Sequence, residues 1–357
     1  MKVLYIVTGL GLGGAEKVVV NLADQVFLEG YQVKIAYLTG EVLVRPKNKK
    51  IEIISLGLDK GINFLKASQL YRQLIKSYQP DVVHAHMVHA NIFARINRIG
   101  CTIPKLICTA HNSNEGGKIR MLAYRLTNFL SDFNTNVSDD ASKSLIAKGA
   151  FNKSNLITVY NGIDLQKFNK KDSICKLNNN VINFICVGRF NEQKDYPNLF
   201  RAIVLLKDKV PNLKFKFSIV GDGELRSELE ELIKGLHISN CVELLGKRSD
   251  IPDLLNAADF FVLPSKHEGL PTVVIEAMAC GTFVIATDCG GSAEIMGDTG
   301  ILVPPQNSEA LAEALKEAVN KTPLEIQENN LKARQRVEEL FSLEKSVENW
   351  LKIYRNE

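Results

Sequence analysis

Short apolar runs rich in β-branched residues alternate with longer segments of helical length along nearly the whole chain. In the first half the runs are KVLYIVT (2–8), QVKIAYL (32–38), IEIISL (51–56), DVVHAH (81–86), KLICTA (105–110), DFNTNV (132–137) and LITVY (156–160). Runs of this length and composition predict buried strands. Between them lie Ala15–Glu29, Leu65–Tyr78, Asn91–Ile99 and Lys118–Leu130, all long enough for helices. A polar stretch, Asn169–Asn180, breaks the pattern and is the expected interdomain linker. The alternation resumes with VINFICVG (181–188), KFKFSIVG (214–221), VELLG (242–246), DFFVLP (259–264), TFVIATD (282–288) and GILVP (300–304). Helices are expected at Tyr196–Lys207, Glu224–Leu236, Ile251–Ala257 and Thr272–Cys280, with three more closing the chain, the last at Leu343–Tyr354. Strand–helix–strand alternation requires parallel sheets covered on both faces, so the fold class is α/β, with two doubly wound domains facing one cleft.

A chain of 357 residues exceeds one ordinary core, which agrees with two domains. With 45% hydrophobic and 24% charged residues it is a folding sequence, and no run approaches the ~18–20 apolar residues of a membrane span. The opening MKVLYIVTGLGLGGAE reads as a first strand, its apolar run being too short for a signal peptide. Seven cysteines without a C-x-x-C pair argue against disulfide or zinc frameworks and for a reducing, cytoplasmic setting. The net charge of +4 conceals an asymmetry. Residues 1–170 hold 22 Lys and Arg against 12 Asp and Glu, a net of +10, which leaves −6 for residues 171–357. The first half is therefore the one expected to meet an anionic partner.

Four constellations carry candidate chemistry. Gly9, Gly11 and Gly14, with Gly13 and Glu16 beside them, form G-x-G-x-x-G between the first strand and first helix. That is the dinucleotide fingerprint, but the acidic residue it needs about 20 residues on is missing, Glu41 lying beyond a Thr-Gly turn. An ordinary tight turn, or a phosphate or sugar contact, remains open beside the NAD reading. His84 and His86 end the fourth strand on one face, and His111 with Asn112 ends the next. They are candidates for polar residues lining a ligand crevice, with a metal pair or hydrogen-bonded structural imidazoles as alternatives. Arg189 and Lys194 project from the loop after the strand ending at Gly188, where together they suit a diphosphate, a solvated basic loop being the alternative. Finally, Pro264–Glu276 runs from a strand end through Glu268, Gly269 and Leu270 to Pro271, placed as the first helical residue, and Thr272. The open helix N-terminus suits a phosphate. Glu268 on the loop and Glu276 two turns into the helix suit two separate sets of ligand hydroxyls.

Together these residues resemble glycosyltransferase family 4, the retaining nucleotide-sugar transferases with the GT-B fold of two facing Rossmann-like domains. The resemblance spans almost the whole chain in the family's order: Gly13-Gly14-Ala15-Glu16, Ser138, Tyr160-Asn161-Gly162-Ile163-Asp164, Gly188-Arg189 with Lys194, Gly221-Asp222-Gly223, and Glu268 with Glu276 eight positions beyond it. It implies an acceptor-binding domain over residues 1–170, joined by a terminal helix at about 342–357, and a donor-binding domain over 171–341. Arg189 and Lys194 would hold the donor diphosphate, Glu276 the nucleotide ribose and Glu268 the donor sugar. Gly269, Leu270, Pro271 and Thr272 would lie along sugar and phosphate, His111 near the transferred sugar, and Gly13 and Gly14 beneath the diphosphate. Glu16, His84, His86 and Asn112 are acceptor-side candidates.

Transfer with retention, on one face of the sugar and without metal or other cofactor, fits this set, because the two cations and a helix N-terminus supply the charge a divalent ion supplies elsewhere. The donor is expected to be a UDP-sugar and the acceptor a glycan, specifically a lipid-linked oligosaccharide of a surface polysaccharide, and no nucleic acid is expected. A same-fold nucleotide-sugar 2-epimerase, an NAD-dependent oxidoreductase and a non-catalytic sugar-binding module are the other readings. The helical stretch Lys118–Leu130 sets Lys118, Arg120 and Arg125 beside apolar residues, and Arg45, Lys47, Lys49 and Lys50 form a basic loop. The two together could hold the first domain peripherally on an anionic membrane, the alternative being a core-packed helix with a solvated basic edge.

Overall fold

The computed structural model describes residues 1–58, 63–112, 116–171 and 181–357. They form two compact units, Met1–Gly162 with Leu343–Glu357, and Ile163–Ser342. In the first unit the elements run β1 (Lys2–Val7), α1 (Gly14–Leu28), β2 (Gln32–Tyr37), β3 (Glu52–Ser55), α2 (Phe64–Tyr78), β4 (Val82–His86), α3 (Val88–Arg98), β5 (Lys105–Ala110), α4 (Lys118–Thr127), β6 (Phe133–Asn136), α5 (Asp139–Ala147) and β7 (Ile157–Thr158). The second unit holds β8 (Ile182–Val187), α6 (Tyr196–Lys209), β9 (Phe215–Val220), α7 (Arg226–Gly235), β10 (Val242–Gly246), α8 (Ile251–Ala257), β11 (Phe260–Leu263), α9 (Thr272–Ala279), β12 (Phe283–Thr287), α10 (Ser292–Met296), β13 (Ile301–Val303), α11 (Ser308–Val319) and α12 (Pro323–Leu340). α13 (Leu343–Arg355) returns to the first unit. Each expected strand is present, β5 and β10 at their full expected length and the others shortened by a residue or two at an end.

The first sheet has the order β3-β2-β1-β4-β5-β6-β7 and the second β10-β9-β8-β11-β12-β13. All pairings between these strands are parallel. Each sheet is thus a Rossmann-like wind, and its strand order reverses once, between β1 and β4 or between β8 and β11. Ligands of such sheets bind beyond the carboxyl ends of the strands at that reversal.

Right-handed crossovers running in opposite directions from the switch put helices on both faces. In the first unit Val3, Tyr5 and Val7 face α1 and α13, while Leu4 and Ile6 face α2 and α3. Leu343, Val347, Trp350, Leu351 and Tyr354 form the buried stripe of α13. Lys105 Nζ donates to the carbonyls of Ile353 and Tyr354 at 2.7 and 2.6 Å, a cation where the helix dipole is negative.

The chain passes between units at Gly162/Ile163 and returns at Ser342/Leu343, so the outgoing crossing lies earlier than the expected 170/171 boundary. Ile163 forms a bridge with Ser342. The carbonyls of Phe168 and Asn169 accept from Arg334 and Asn256, which ties this strip to the second unit. Of the expected linker, residues 172–180, including Cys175, lie outside the described residues. The six described cysteines are free thiols, with Cys108 and Cys186 buried in the cores. Among the described residues no helix is long and apolar enough to cross a membrane.

Candidate active site

The switch point of the second sheet brings together the loops after β8 and β11. Lys266 N donates to Gln193 O at 2.8 Å and Gln193 Nε2 to His267 O at 2.8 Å, so the two loops are zipped together. The Asn191 side chain accepts from Lys194 N at 3.2 Å and fixes the turn that aims Lys194. Asp195 follows at φ +47°, a left-handed conformation rare outside glycine, at the start of α6. Held this way, Lys194 Nζ lies 2.6 Å from Glu268 Oε1, and Ser265 Oγ donates to the same oxygen at 2.6 Å. Ser265 and Glu268 are buried. Ser265 was not singled out from the sequence, because its bond joins two side chains within a loop, where no helix or strand period marks it.

Two glycine turns back this loop pair. Gly221, at φ +151°, lies so close to Gly188 that an added Cβ would stand 1.8 Å from the Gly188 carbonyl oxygen. Gly290, at φ +56°, presses on the other loop, where a Cβ would stand 2.4 Å from Glu268 O, and Gly291 N donates to Gly269 O at 2.7 Å. Thr287 Oγ1 donates to Ser265 O at 2.7 Å, and burial beside it pushes the Cys289 thiol up to about 11, so this cysteine is not a thiolate nucleophile at neutral pH.

Pro271 proves to be the residue capping α9, and the helix begins at Thr272. The ring of proline cannot cap a backbone N–H and no side-chain cap is present, and Val274 N donates to Pro271 O at 2.9 Å, so it is the N–H groups of Thr272 and Val273 that an anion can meet. Glu276 is the fifth residue of α9, at the start of its second turn and not two turns in, and is half-buried. Leu270 is buried. Arg189 extends into solvent, where its guanidinium meets Glu224 at 3.1 to 3.2 Å.

In the first unit the switch lies between β1 and β4. The glycine loop leaves β1, with Gly13 extended as the residue capping α1 and Gly14 opening the helix, both exposed, and Glu16 half-buried in the first turn. None of Gly9, Gly11, Gly13 and Gly14 has a positive φ. Space is short at only two of them: a Cβ would stand 3.0 Å from Thr39 O at Gly9 and 2.2 Å from the Glu16 carboxylate at Gly13, while nothing lies within 4 Å of one at Gly14. After β4, Met87 holds φ +72° and ψ 155°, a region almost confined to glycine, and sequence reading gave no sign of it.

His84 is a correction. Its Nδ1 pairs with Tyr354 Oη at 2.6 Å and its Nε2 with Thr109 Oγ1 at 2.7 Å, and no surface is exposed. It is a structural imidazole joining β4 to α13, enclosed away from any acceptor. His86 stacks on it with ring centroids 3.9 Å apart, as same-face strand residues must, and its Nδ1 meets His111 Nε2 at 2.9 Å. His86 is also buried, so only His111 and Asn112 of this group reach partly to the surface. Burial lowers all three histidines, His111 to about 4. Among the described residues no three His, Cys, Asp or Glu side chains are gathered as a metal-binding group.

Residues 12–167 match the model of Glycosyltransferase Family 4 and residues 182–321 that of the group 1 glycosyl transferases. An uncharacterized glycosyltransferase of Methanocaldococcus jannaschii, MJ1059, is 30% identical over 71% of this chain and 70% of its own. The UDP-Gal:alpha-D-GlcNAc-diphosphoundecaprenol alpha-1,3-galactosyltransferase of Escherichia coli is 29% identical over 80% and 77%. Among solved structures, Anabaena Alr3699/HepE in complex with UDP superposes with a TM-score of 0.85 over the full length of both chains at 21% identity. With both domain models matched in order and the two Rossmann-like sheets in place, the chain belongs to glycosyltransferase family 4 and is a glycosyltransferase.

Proposed function

We propose that the chain moves a sugar from a UDP-sugar to a glycan carried on a lipid diphosphate, with retention at the anomeric carbon and without a metal ion. The second unit is the donor side and the first the acceptor side. The observation that carries this reading is the Lys194–Glu268–Ser265 cluster at the second switch point, in the same loop that leads into the open N-terminus of α9. Lys194 has three N–H donors, so it can hold Glu268 and a phosphate oxygen together. As the bond from anomeric carbon to diphosphate breaks, negative charge grows on the leaving group. Lys194, Arg189 and the N–H groups of Thr272 and Val273 at the start of α9 stabilise it. Glu268, fixed through Oε1, orients the donor sugar's hydroxyls, Glu276 takes the ribose, and His111 with Asn112 serves the acceptor side. No motif presents a carboxylate as a nucleophile, so acceptor and leaving group share one face and a donor phosphate oxygen takes the acceptor's proton. The lipid-linked acceptor is supported by relatives such as the Escherichia coli galactosyltransferase, and the UDP donor by that relative and by UDP-bound HepE.

The test is a panel of nucleotide-sugars, scored for binding by thermal shift and for transfer to lipid-diphosphate glycans, with and without EDTA. A UDP-sugar transferred with retained configuration in EDTA is the expected result. Inverted product, a covalent sugar adduct on Glu268, or activity lost in EDTA and restored by Mg²⁺ or Mn²⁺ overturns the mechanism. Product formed without any acceptor overturns transfer in favour of epimerisation.

A further inference from the structure

His86 closes β4 and His111 follows the last residue of β5, and their rings meet with His86 Nδ1 at 2.9 Å from His111 Nε2. Burial lowers both groups far enough that each ring is neutral at working pH and carries a single N–H. One hydrogen bond between two neutral imidazoles has one donor, so two arrangements exist. Either His86 donates from Nδ1 and His111 accepts at Nε2, or His111 donates from Nε2 and His86 accepts at Nδ1.

The other nitrogen of His86 tells them apart. Its Nε2 is buried and, among the described residues, has no hydrogen-bond partner. In the second arrangement this atom would carry the ring's only proton, and an orphaned buried N–H is rare in folded proteins. The first arrangement leaves only a lone pair there, the more tolerable loss. His84 offers no relief. It stacks on His86 with ring centroids 3.9 Å apart, and its own nitrogens are taken by Tyr354 and Thr109.

The backbone holds His86 in place for this contact. Met87, the next residue, keeps its φ of +72° because β5 grips the turn. Met87 N donates to Thr109 O at 3.0 Å, and Asn91 Nδ2 donates to the same oxygen at 2.9 Å. The strained turn after β4 is thereby tied to the residue two positions before His111, which sets the spacing of the two rings. Strain of this kind persists where the surrounding structure over-determines it, and it collects at functional sites.

We propose that His86 is a positioning residue that fixes the proton of His111 on Nδ1, so that His111 meets the transferred sugar as an N–H donor and not through a lone pair. An imidazole fixed in this way donates to a sugar oxygen. Its one lone pair, at Nε2, is engaged by His86, so it takes no proton from the acceptor hydroxyl. The place of His111 beside the sugar rests on the function proposed above, whereas the tautomer rests on the geometry of the two rings.

The test is long-range proton–nitrogen correlation of the histidine side chains in the full chain at pH 7.5, with His111 assigned by its loss in His111→Gln. His111 protonated on Nδ1 is the expected result. His86→Leu should release His111 into a mixture of tautomers and lower kcat about tenfold or more. His86→Asn, whose Nδ2–H replaces the lost donor, should restore the Nδ1 tautomer and bring kcat to within about threefold of the unaltered chain. If the leucine variant does not fold, the spectrum of the unaltered chain and the asparagine variant decide the matter. His111 protonated on Nε2 overturns the proposal. So does an Nδ1 tautomer that persists in folded His86→Leu, or an asparagine variant as slow as the leucine variant at an equal unfolding midpoint, which would assign His86 to packing. Loss of the Nδ1 tautomer in His86→Leu with kcat unchanged overturns the placement of His111 beside the sugar and leaves the role of His86 standing.

Discussion

Lys194 Nζ and Glu268 Oε1 stand 2.6 Å apart although 74 positions separate them in the chain, and both side chains are largely enclosed. Removing one member of such a pair strands the other charge, at about 3–5 kcal/mol. Lys194→Ala is therefore expected to destabilise the second unit and to lower kcat. The double variant Lys194→Ala/Glu268→Gln separates the two effects. Denaturation midpoints should recover most of the lost stability, because no buried charge is left unpaired, while kcat stays at least about 100-fold low because the leaving diphosphate has lost a cation. A double variant that recovers activity along with stability would show the pair to be structural alone.

Arg189 and Glu224 invite the opposite result. Their side chains are 71% and 56% exposed, so the ion pair contributes little and Arg189→Ala should change stability by less than about 0.5 kcal/mol. Its cost should appear in kcat, since the charge it meets grows in the transition state. Glu224→Ala frees the guanidinium from its competitor and should tighten UDP binding several-fold in calorimetry. An unchanged kcat with only a raised KM in Arg189→Ala would sink its assignment to the leaving group.

Gly290 controls the Glu268 loop from behind. Its φ of +56° and the 2.4 Å gap between a built Cβ and Glu268 O leave alanine no room without moving the loop. Gly290→Ala is expected to cost about 1–3 kcal/mol of stability and to lower transfer well beyond what that loss explains, since small displacements of positioning groups cost about 100-fold. Gly235→Ala, on the outer end of α7 with nothing within 4 Å of a built Cβ, is the control. Equal activity in the two variants would refute the loop's dependence on Gly290.

Which parts of this were legible in the sequence follows from what periodicity encodes. Thirteen strands and the long helices were readable because burial on both sheet faces forces continuous apolar runs, and a helix of three or more turns repeats its pattern. α5 and α10 were not marked: α10 is five residues long, and α5 is defined by the Ser138 cap and a first turn of Asp139 and Asp140 more than by an apolar stripe. Lys194 and Glu268 were each legible as strand-end residues, yet their contact depends on strand order, which no local pattern records. His84 misled for the same reason. Its alternation correctly put it on one face with His86, but that face is covered by Tyr354 and Trp350 of α13, some 270 residues away. For α4, composition showed cations and apolar residues together, and only the packing of Met121 and Tyr124 decided which side is buried.

His84, His86 and His111 give the first unit a pH dependence whose sign is fixed. An unfolded chain titrates near the ordinary histidine value of 6.5, while folded His111 takes its proton only near 4, and His84 and His86 are also held well below the ordinary value by burial. The unfolded state therefore binds more protons as the pH falls below about 6.5. Stability is complete above that value and declines on acidification by up to about 1.4 kcal/mol per pH unit for each histidine, the His111 share levelling off below about 4. Trp350, the single tryptophan, sits with its ring centroid 4.4 Å from that of His84, so its fluorescence reports loss of this packing directly. Urea titrations at pH 7.5, 6 and 5 should show His111→Gln flattening the slope by one proton relative to the unaltered chain. An identical slope would mean that folded His111 is already charged. If the slope flattens as expected, His111 meets its ligand as a neutral imidazole at working pH, its Nε2 committed to His86, and it acts there by hydrogen bonding and not by charge.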